Sequence, residues 1–156
     1  MTIAKMLLVS VVIILCRTSA ARVQEKNAVQ DELKSLQGVW QVTQWIDPEG
    51  MPATDDEVKG ASFEFKKDQM IKRDGGRARE PLKVILDPAK KPKWIDFDIG
   101  FATGVEMKGI YKLEGDALTL CIISGSTSGQ PAERPTEFKA NKQKHHTLFV
   151  MKKAKK

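Results

Sequence analysis

Val105-Glu106-Met107-Lys108-Gly109-Ile110-Tyr111-Lys112-Leu113-Glu114-Gly115-Asp116-Ala117-Leu118-Thr119-Leu120-Cys121-Ile122-Ile123 alternates, reverses at a turn and alternates again. Val105, Met107, Tyr111 and Leu113 share one parity, while Glu106, Lys108 and Lys112 take the other. Beyond the turn, Leu118, Leu120 and Ile122 alternate with Thr119, Cys121 and Ile123. Successive side chains of a strand point to opposite faces, so a period of two with one apolar parity marks a strand that lays one face on a core. Glu114-Gly115-Asp116 offers the positive φ angles that a tight reversal needs. The stretch is therefore a β-hairpin with one wet face.

The same texture extends in both directions. Short runs rich in Val, Ile, Phe, Trp and Thr predict strands at 39–46, 61–67, 69–74, 78–86, 93–99, 105–114, 117–124 and 146–152. In one of these, Ile95, Phe97 and Ile99 oppose Asp96 and Asp98. Asp47-Pro48-Glu49-Gly50 and Asp74-Gly75-Gly76 read as tight turns. The segment from Asp87-Pro88 to Pro92 cannot join a ladder, because two prolines lack the amide donor. Residues 124–135, with Gly125, Gly129, Pro131 and Pro135, read as the longest loop. Ahead of the first strand, Val29, Leu33 and Leu36 recur at helical spacing, which places one or two helical turns over 31–37, ended by Gly38. Eight short strands with hairpin-length loops and little helix imply an all-β fold: an eight-stranded antiparallel barrel with a short N-terminal helix, closed so that no edge is left to protect.

The chain has 156 residues, 29% of them charged, and two cysteines. That length suits one domain, and the cysteine count is too low for a disulfide-stapled miniprotein or a Cys-rich zinc module. Lys5 precedes the apolar run Met6 to Cys16, which is followed by Arg17-Thr18-Ser19-Ala20-Ala21. This is the pattern of a secretory signal peptide cleaved after Ala21 or Ala20, and the run is too short to span a bilayer. A lipid-modified Cys16 is the alternative, although Leu15 stands where such a signal has a small residue. The expected organisation is a leader at 1–21, a linker at 22–32, a barrel domain at 33–153 and a basic tail at 154–156, in an exported chain that is periplasmic or secreted. Removing the leader takes Lys5 and Arg17 away and leaves 24 basic residues against 20 acidic. Four of the 24 are Lys152, Lys153, Lys155 and Lys156, so 22–151 is balanced. No basic face for nucleic acid is expected; the Lys tail admits at most a weak contact with a membrane surface or polyanion. Cys121 would be the one cysteine left.

Leu36-Gln37-Gly38-Val39-Trp40 resembles the opening motif of lipocalin-type barrels, in which the Trp closes the bottom. Asp87-Pro88-Ala89-Lys90-Lys91-Pro92-Lys93-Trp94-Ile95-Asp96, the stretch from Gly109 to Cys121, and Glu133-Arg134-Pro135-Thr136-Glu137-Phe138 resemble, in order, the hallmarks of a family of small exported lipocalin-like domains known chiefly from planctomycete bacteria. The likeness covers nearly all of 33–153. It implies the barrel fold and export, and no activity is assigned to that family. It also implies that a late arginine lies across Trp40 as a cation–π partner, and Arg134 is the candidate.

No catalytic constellation is legible. His145 and His146 are adjacent, so on a strand they point to opposite faces and cannot share one metal ion; no metal and no cofactor are expected. Asp96 and Asp98 share a strand face that Lys90, Lys91 and Lys93 would neutralise. Cys121 lies among apolar neighbours without a base to activate it. The serines at 124, 126 and 128 lack the strand-turn-helix setting of a nucleophile elbow. The expected function is binding of a small apolar or amphipathic ligand inside the barrel, with a non-catalytic envelope interaction protein, its barrel filled, as the alternative. Alternation alone assigns the lining to Phe63, Phe65, Val105, Met107, Tyr111, Leu118, Leu120 and Phe149. A bulge would exchange the two parities of any strand.

Overall fold

The computed structural model describes residues 22–98, 106–123 and 133–155. The expected leader with Cys16, the candidate lining residue Val105 and the serines at 124, 126 and 128 lie outside the described residues. A helix, α1, runs over 22–36. It is followed by β1 (Gly38–Ile46), α2 (Asp55–Gly60), β2 (Ser62–Lys66), β3 (Gln69–Asp74), β4 (Arg77–Ala78), β5 (Leu82–Asp87), β6 (Lys93–Asp98), β7 (Glu106–Glu114), β8 (Ala117–Ile123) and β9 (His146–Lys153). All pairings are antiparallel. The ladder runs β2-β1-β9-β8-β7-β6-β5-β3, and β2 pairs with β3 to close it. The fold is thus a closed eight-stranded antiparallel barrel, with β4 an added ribbon on β3.

Three elements differ from the sequence reading. The helix covers 22–36, so the stretch expected as a linker, 22–32, is helical throughout. The single strand expected at 78–86 divides into β4 and β5. Pro81 stands in the gap: it has no amide to give a ladder and restricts Glu80 before it. As a result β3 and β5 share only Gln69↔Lys83 and Met70↔Leu82. The third element, α2, is built on a capping box. Thr54 Oγ1 accepts from the Glu57 amide, and the Glu57 carboxylate accepts from the Thr54 amide at 2.8 Å. Donation to the Glu57 carboxylate from the Thr54 amide, and from the Thr54 hydroxyl at 2.8 Å, favours its charged form and holds its pKa below the ordinary value.

One end of the barrel is stoppered by α1. The last carbonyls of a helix have no partner within it, and here the barrel supplies donors to three of them. Trp40 Nε1 donates to Leu36 O at 2.7 Å, Gln37 Nε2 to Leu33 O at 2.8 Å, and Lys153 Nζ to Ser35 O at 3.1 Å. The Lys153 charge also complements the negative end of the helix dipole. Gln37 binds the β2–β3 turn as well, giving a bond to Lys67 O and accepting one from the Lys67 amide at 2.6 Å. On the other side of the stopper, the Glu32 carboxylate sits between Lys93 Nζ and the Tyr111 hydroxyl, which donates to it at 3.1 Å. Val29 and Leu33 pack beneath.

Above the stopper, Leu36, Trp40, Phe65, Leu86, Ile95, Tyr111, Leu118, Leu120 and Met151 fill the interior. Burying each large apolar side chain contributes about 1.5–3 kcal/mol before chain entropy is set against it. β7 needs a glycine where it crosses this core: a Cβ at Gly109 would lie 2.7 Å from Ile122 Cγ2 and 2.8 Å from Cys121 O. Gly109→Ala is expected to cost about 1–3 kcal/mol through overpacking, measured as a lower urea midpoint with an unchanged slope. An unchanged midpoint would mean that β7 and β8 are not pressed together there.

Candidate functional site

The end of the barrel opposite α1 is a cup. Trp45, Phe63, Met70, Leu82, Met107, Ile122 and Phe149 form most of its wall, with Asp47, Pro48, Lys72, Arg79, Glu80 and Thr147 around them, and its volume is about 560 Å³. That lies within the ~300–1,000 Å³ of small-molecule sites, and the combination of apolar wall and few polar groups is typical of them. Phe149 stacks at a tilt on Trp45, ring centroids 5.5 Å apart, and meets Phe63 edge-on at 5.1 Å.

A bulge makes this wall. In the β1–β9 ladder Val42 pairs with Met151 and Gln44 with Val150, so Thr43 is the extra residue. Its hydroxyl donates to Val150 O at 3.0 Å. Trp40 and Val42 face inward before the bulge; after it the parity exchanges, and Trp45 faces Phe149 where plain alternation would have turned Gln44 inward.

Of the residues assigned to the lining from sequence, Phe63, Met107 and Phe149 do border the cup. Phe65, Tyr111, Leu118 and Leu120 have the inward parity but are buried in the filled half of the core, outside the cup lining. Sequence reasoning missed Trp45, Met70, Lys72, Leu82, Ile122 and Thr147. The bulge hides Trp45, and β3, reading Gln-Met-Ile-Lys-Arg-Asp, has no apolar alternation to follow.

Lys72 and Asp74 lie on the inner parity of β3, in line with the buried Met70. The Lys72 ammonium stands 4.7 Å from the Trp45 ring centroid and 5.6 Å from that of Phe149. It forms an ion pair with Asp74 Oδ1 at 3.1 Å, yet that oxygen accepts no hydrogen bond among the described residues. The contact is one of charge without directed donation. The other Asp74 oxygen accepts from Arg79 Nε at 3.1 Å.

A second constellation lies on the outside of the barrel. Arg134, expected over Trp40, instead lies with its guanidinium 4.1 Å from the Trp94 ring centroid. It grips Asp96 with both ends, Nη2 to Oδ2 at 2.8 Å, and donates to Gly109 O at 2.7 Å. The cation above Trp40 is Lys153, 5.0 Å from its centroid. The reason is positional: β9 ends beside β1 at the stoppered end, whereas 133–145 crosses the outer faces of β6 to β9. His146 Nε2 meets Glu133 O at 2.9 Å, and the Cys121 thiol donates to Lys139 O at 3.5 Å. Ile110, Cys121 and Ile123, on the outer parity, are buried at this crossing. Lys144 pairs with Glu133 and holds its carboxyl below the usual range. The arrangement is a strap that fastens a second layer to the barrel wall.

No group of three or more His, Cys, Asp or Glu side chains is placed to hold a metal ion among the described residues. Burial pushes the Cys121 thiol up to about 11, which disfavours the thiolate that nucleophilic chemistry requires. Burial first, and then the Glu32 charge, push the Tyr111 hydroxyl up too. Comparisons of the chain with protein-family models, with curated proteins and with solved structures find no match.

The strap and the thiol each carry an expectation. Arg134→Ala leaves Asp96, whose side chain is 16% exposed, without its partner; it is expected to cost about 3 kcal/mol, read from urea denaturation, and a loss below about 1 kcal/mol would show the pair to be ornamental. Because the folded thiol holds its proton more tightly than an unfolded one, its contribution is fully present below about pH 9 and is lost as pH rises towards about 11. The urea midpoint is therefore expected to fall across that window, and to fall less steeply in Cys121→Ala; equal slopes would contradict the assignment.

Proposed function

We propose that the protein is an exported, non-catalytic binding module that takes a small apolar or amphipathic ligand into its cup. The observation that carries this reading is the contrast between the two halves of one barrel. Large side chains fill the stoppered half, while Trp45, Phe63, Met107 and Phe149 border an opening of about 560 Å³. A barrel serving only as an interaction surface would gain by filling that space, since an unfilled apolar volume forfeits dispersion contacts. The cup therefore favours ligand binding over the filled-barrel alternative.

The remaining features are proposed on sequence. The apolar run Met6 to Cys16 and the small residues before Arg22 support export to the periplasm or beyond, and the three stretches resembling small exported lipocalin-like domains support membership of that group. A non-catalytic role is supported by the disarmed Cys121. Of the basic C-terminal residues, Lys153 is engaged on Trp40 and Ser35, so a contact with a membrane surface or polyanion would fall to Lys152, Lys155 and Lys156.

An environment-sensitive apolar fluorophore titrated into the protein is expected to bind saturably at one site. Met107→Trp, which puts bulk into the cup, is expected to weaken that binding at least tenfold without loss of the far-ultraviolet β signal. Absence of saturable binding by the wild-type chain would overturn the proposal.

A further inference from the structure

We infer that the ligand of the cup carries a single negative charge at its polar end, a carboxylate-type head on an apolar body, and that Lys72 is the residue that selects it. The inference rests on the proposed binding role and adds to it the chemistry of the head group. Its starting point is an anomaly of patterning. β3 directs Met70, Lys72 and Asp74 to the inner face, although an inward position in a barrel is one from which charge is ordinarily excluded. Lys72 is 27% exposed at its side chain and lies against the rings of Trp45 and Phe149, two walls of the cup. The rings stabilise an ammonium through their quadrupoles but accept no strong hydrogen bond, and Asp74 Oδ1 accepts none from it. Its ammonium, held beside Asp74 by charge, thus makes no directed hydrogen bond among the described residues and can turn its N–H groups to a ligand.

Asp74 stands between Lys72 and Arg79 and pairs with both, so these three groups together are singly positive. Asp47, with one carboxylate oxygen on the Met51 amide at 2.8 Å, and Glu80 keep their negative charges, and among the described residues Lys72 is paired with Asp74 rather than with either. Glu80 is exposed, and Arg79, 71% exposed at its side chain, accompanies it at the rim. A monoanionic head would therefore meet the Lys72 donors in a partly desolvated position, where charge-assisted hydrogen bonds are strongest. The apolar body would lie on Phe63, Met107, Ile122 and Phe149. A cationic head would meet Lys72 as a like charge, and a neutral one would leave its donors to water.

The test uses the full-length chain expressed with its own leader and three probes of equal tail length: decanoate, decan-1-ol and decyltrimethylammonium. Each displaces the apolar fluorophore from wild type, Lys72→Met and Lys72→Arg. Decanoate is expected to bind wild type about tenfold or more tighter than the alcohol, with the ammonium weakest. Lys72→Met should bring decanoate and the alcohol to within about threefold of each other, and Lys72→Arg should restore most of the preference. Equal binding of decanoate and alcohol to wild type, or tighter binding of the ammonium, would overturn the head-group inference while leaving the cup as an apolar site. Binding of none of the three would overturn the cup reading as well. Because the wild-type ratio decides by itself, a variant that fails to fold does not shield the inference.

Discussion

The seating of the α1 C-terminus on Trp40 is the contact from which the rest follows. A helix end presents carbonyls that must find donors, and a barrel end presents apolar interior that must be covered. Here each solves the other's problem. The indole of Trp40 donates to Leu36 O and closes the core with its ring, while Lys153 adds a positive charge to the helix terminus and lies on the same ring. Gln37 ties the junction to the β2–β3 turn, and Glu32 ties the helix flank to Lys93 and Tyr111. The large side chains of the stoppered half, Trp40, Phe65 and Tyr111 among them, close up under the helix, whereas Trp45, Phe63 and Phe149 of the other half stand around an opening.

What the open half contains is correspondingly unusual. Its wall is a short aromatic relay of Trp45, Phe149 and Phe63, and its charged residues come from β3, from the break between β4 and β5 and, as Asp47, from the turn after β1. Pro81 prevents β5 from pairing along the whole of β3, so the upper part of β3, paired with β2 on one side, has only the two-residue β4 on the other. The cup therefore opens where the ladder is thinnest, and Lys72, Asp74 and Arg79 occupy that place. The strap lies on the opposite walls, and it turns the outer faces of β7 and β8 into a small second core without adding anything to the cup.

Much of the fold was legible because strand alternation is a direct consequence of pleated geometry. Seven of the eight expected strands have counterparts within about two residues at each end, and the Gly115 turn sits where expected, with φ of 59°. The eighth failed at Pro81, a residue that argues against an unbroken strand wherever it stands. Helix α2 has its sequence signal in Thr54-Asp55-Asp56-Glu57, whose spacing is that of a capping box. The site was less legible than the fold. Trp45 is reached only through a bulge at Thr43, and nothing in the Val42-Thr43-Gln44 triplet marks the extra residue. Parity placed Phe65, Tyr111, Leu118 and Leu120 inside correctly but carries no information about height along the barrel axis, which is what separates the filled core from the cup. Arg134 was expected across Trp40 and lies instead on Trp94, on the outside wall, while Lys153 takes the place over Trp40. The stretches around Trp94-Ile95-Asp96, Gly109 and Arg134-Pro135, distant in sequence, come together there in one fastening.

The asymmetry of the barrel is open to direct observation with xenon, which settles in apolar cavities without requiring a polar partner. In crystals of the protein held under xenon pressure, the account places a xenon peak between Phe63, Met107 and Phe149 and none between Trp40 and Leu120. An interior with no xenon at the first position, its space taken by the protein's own side chains, would contradict it.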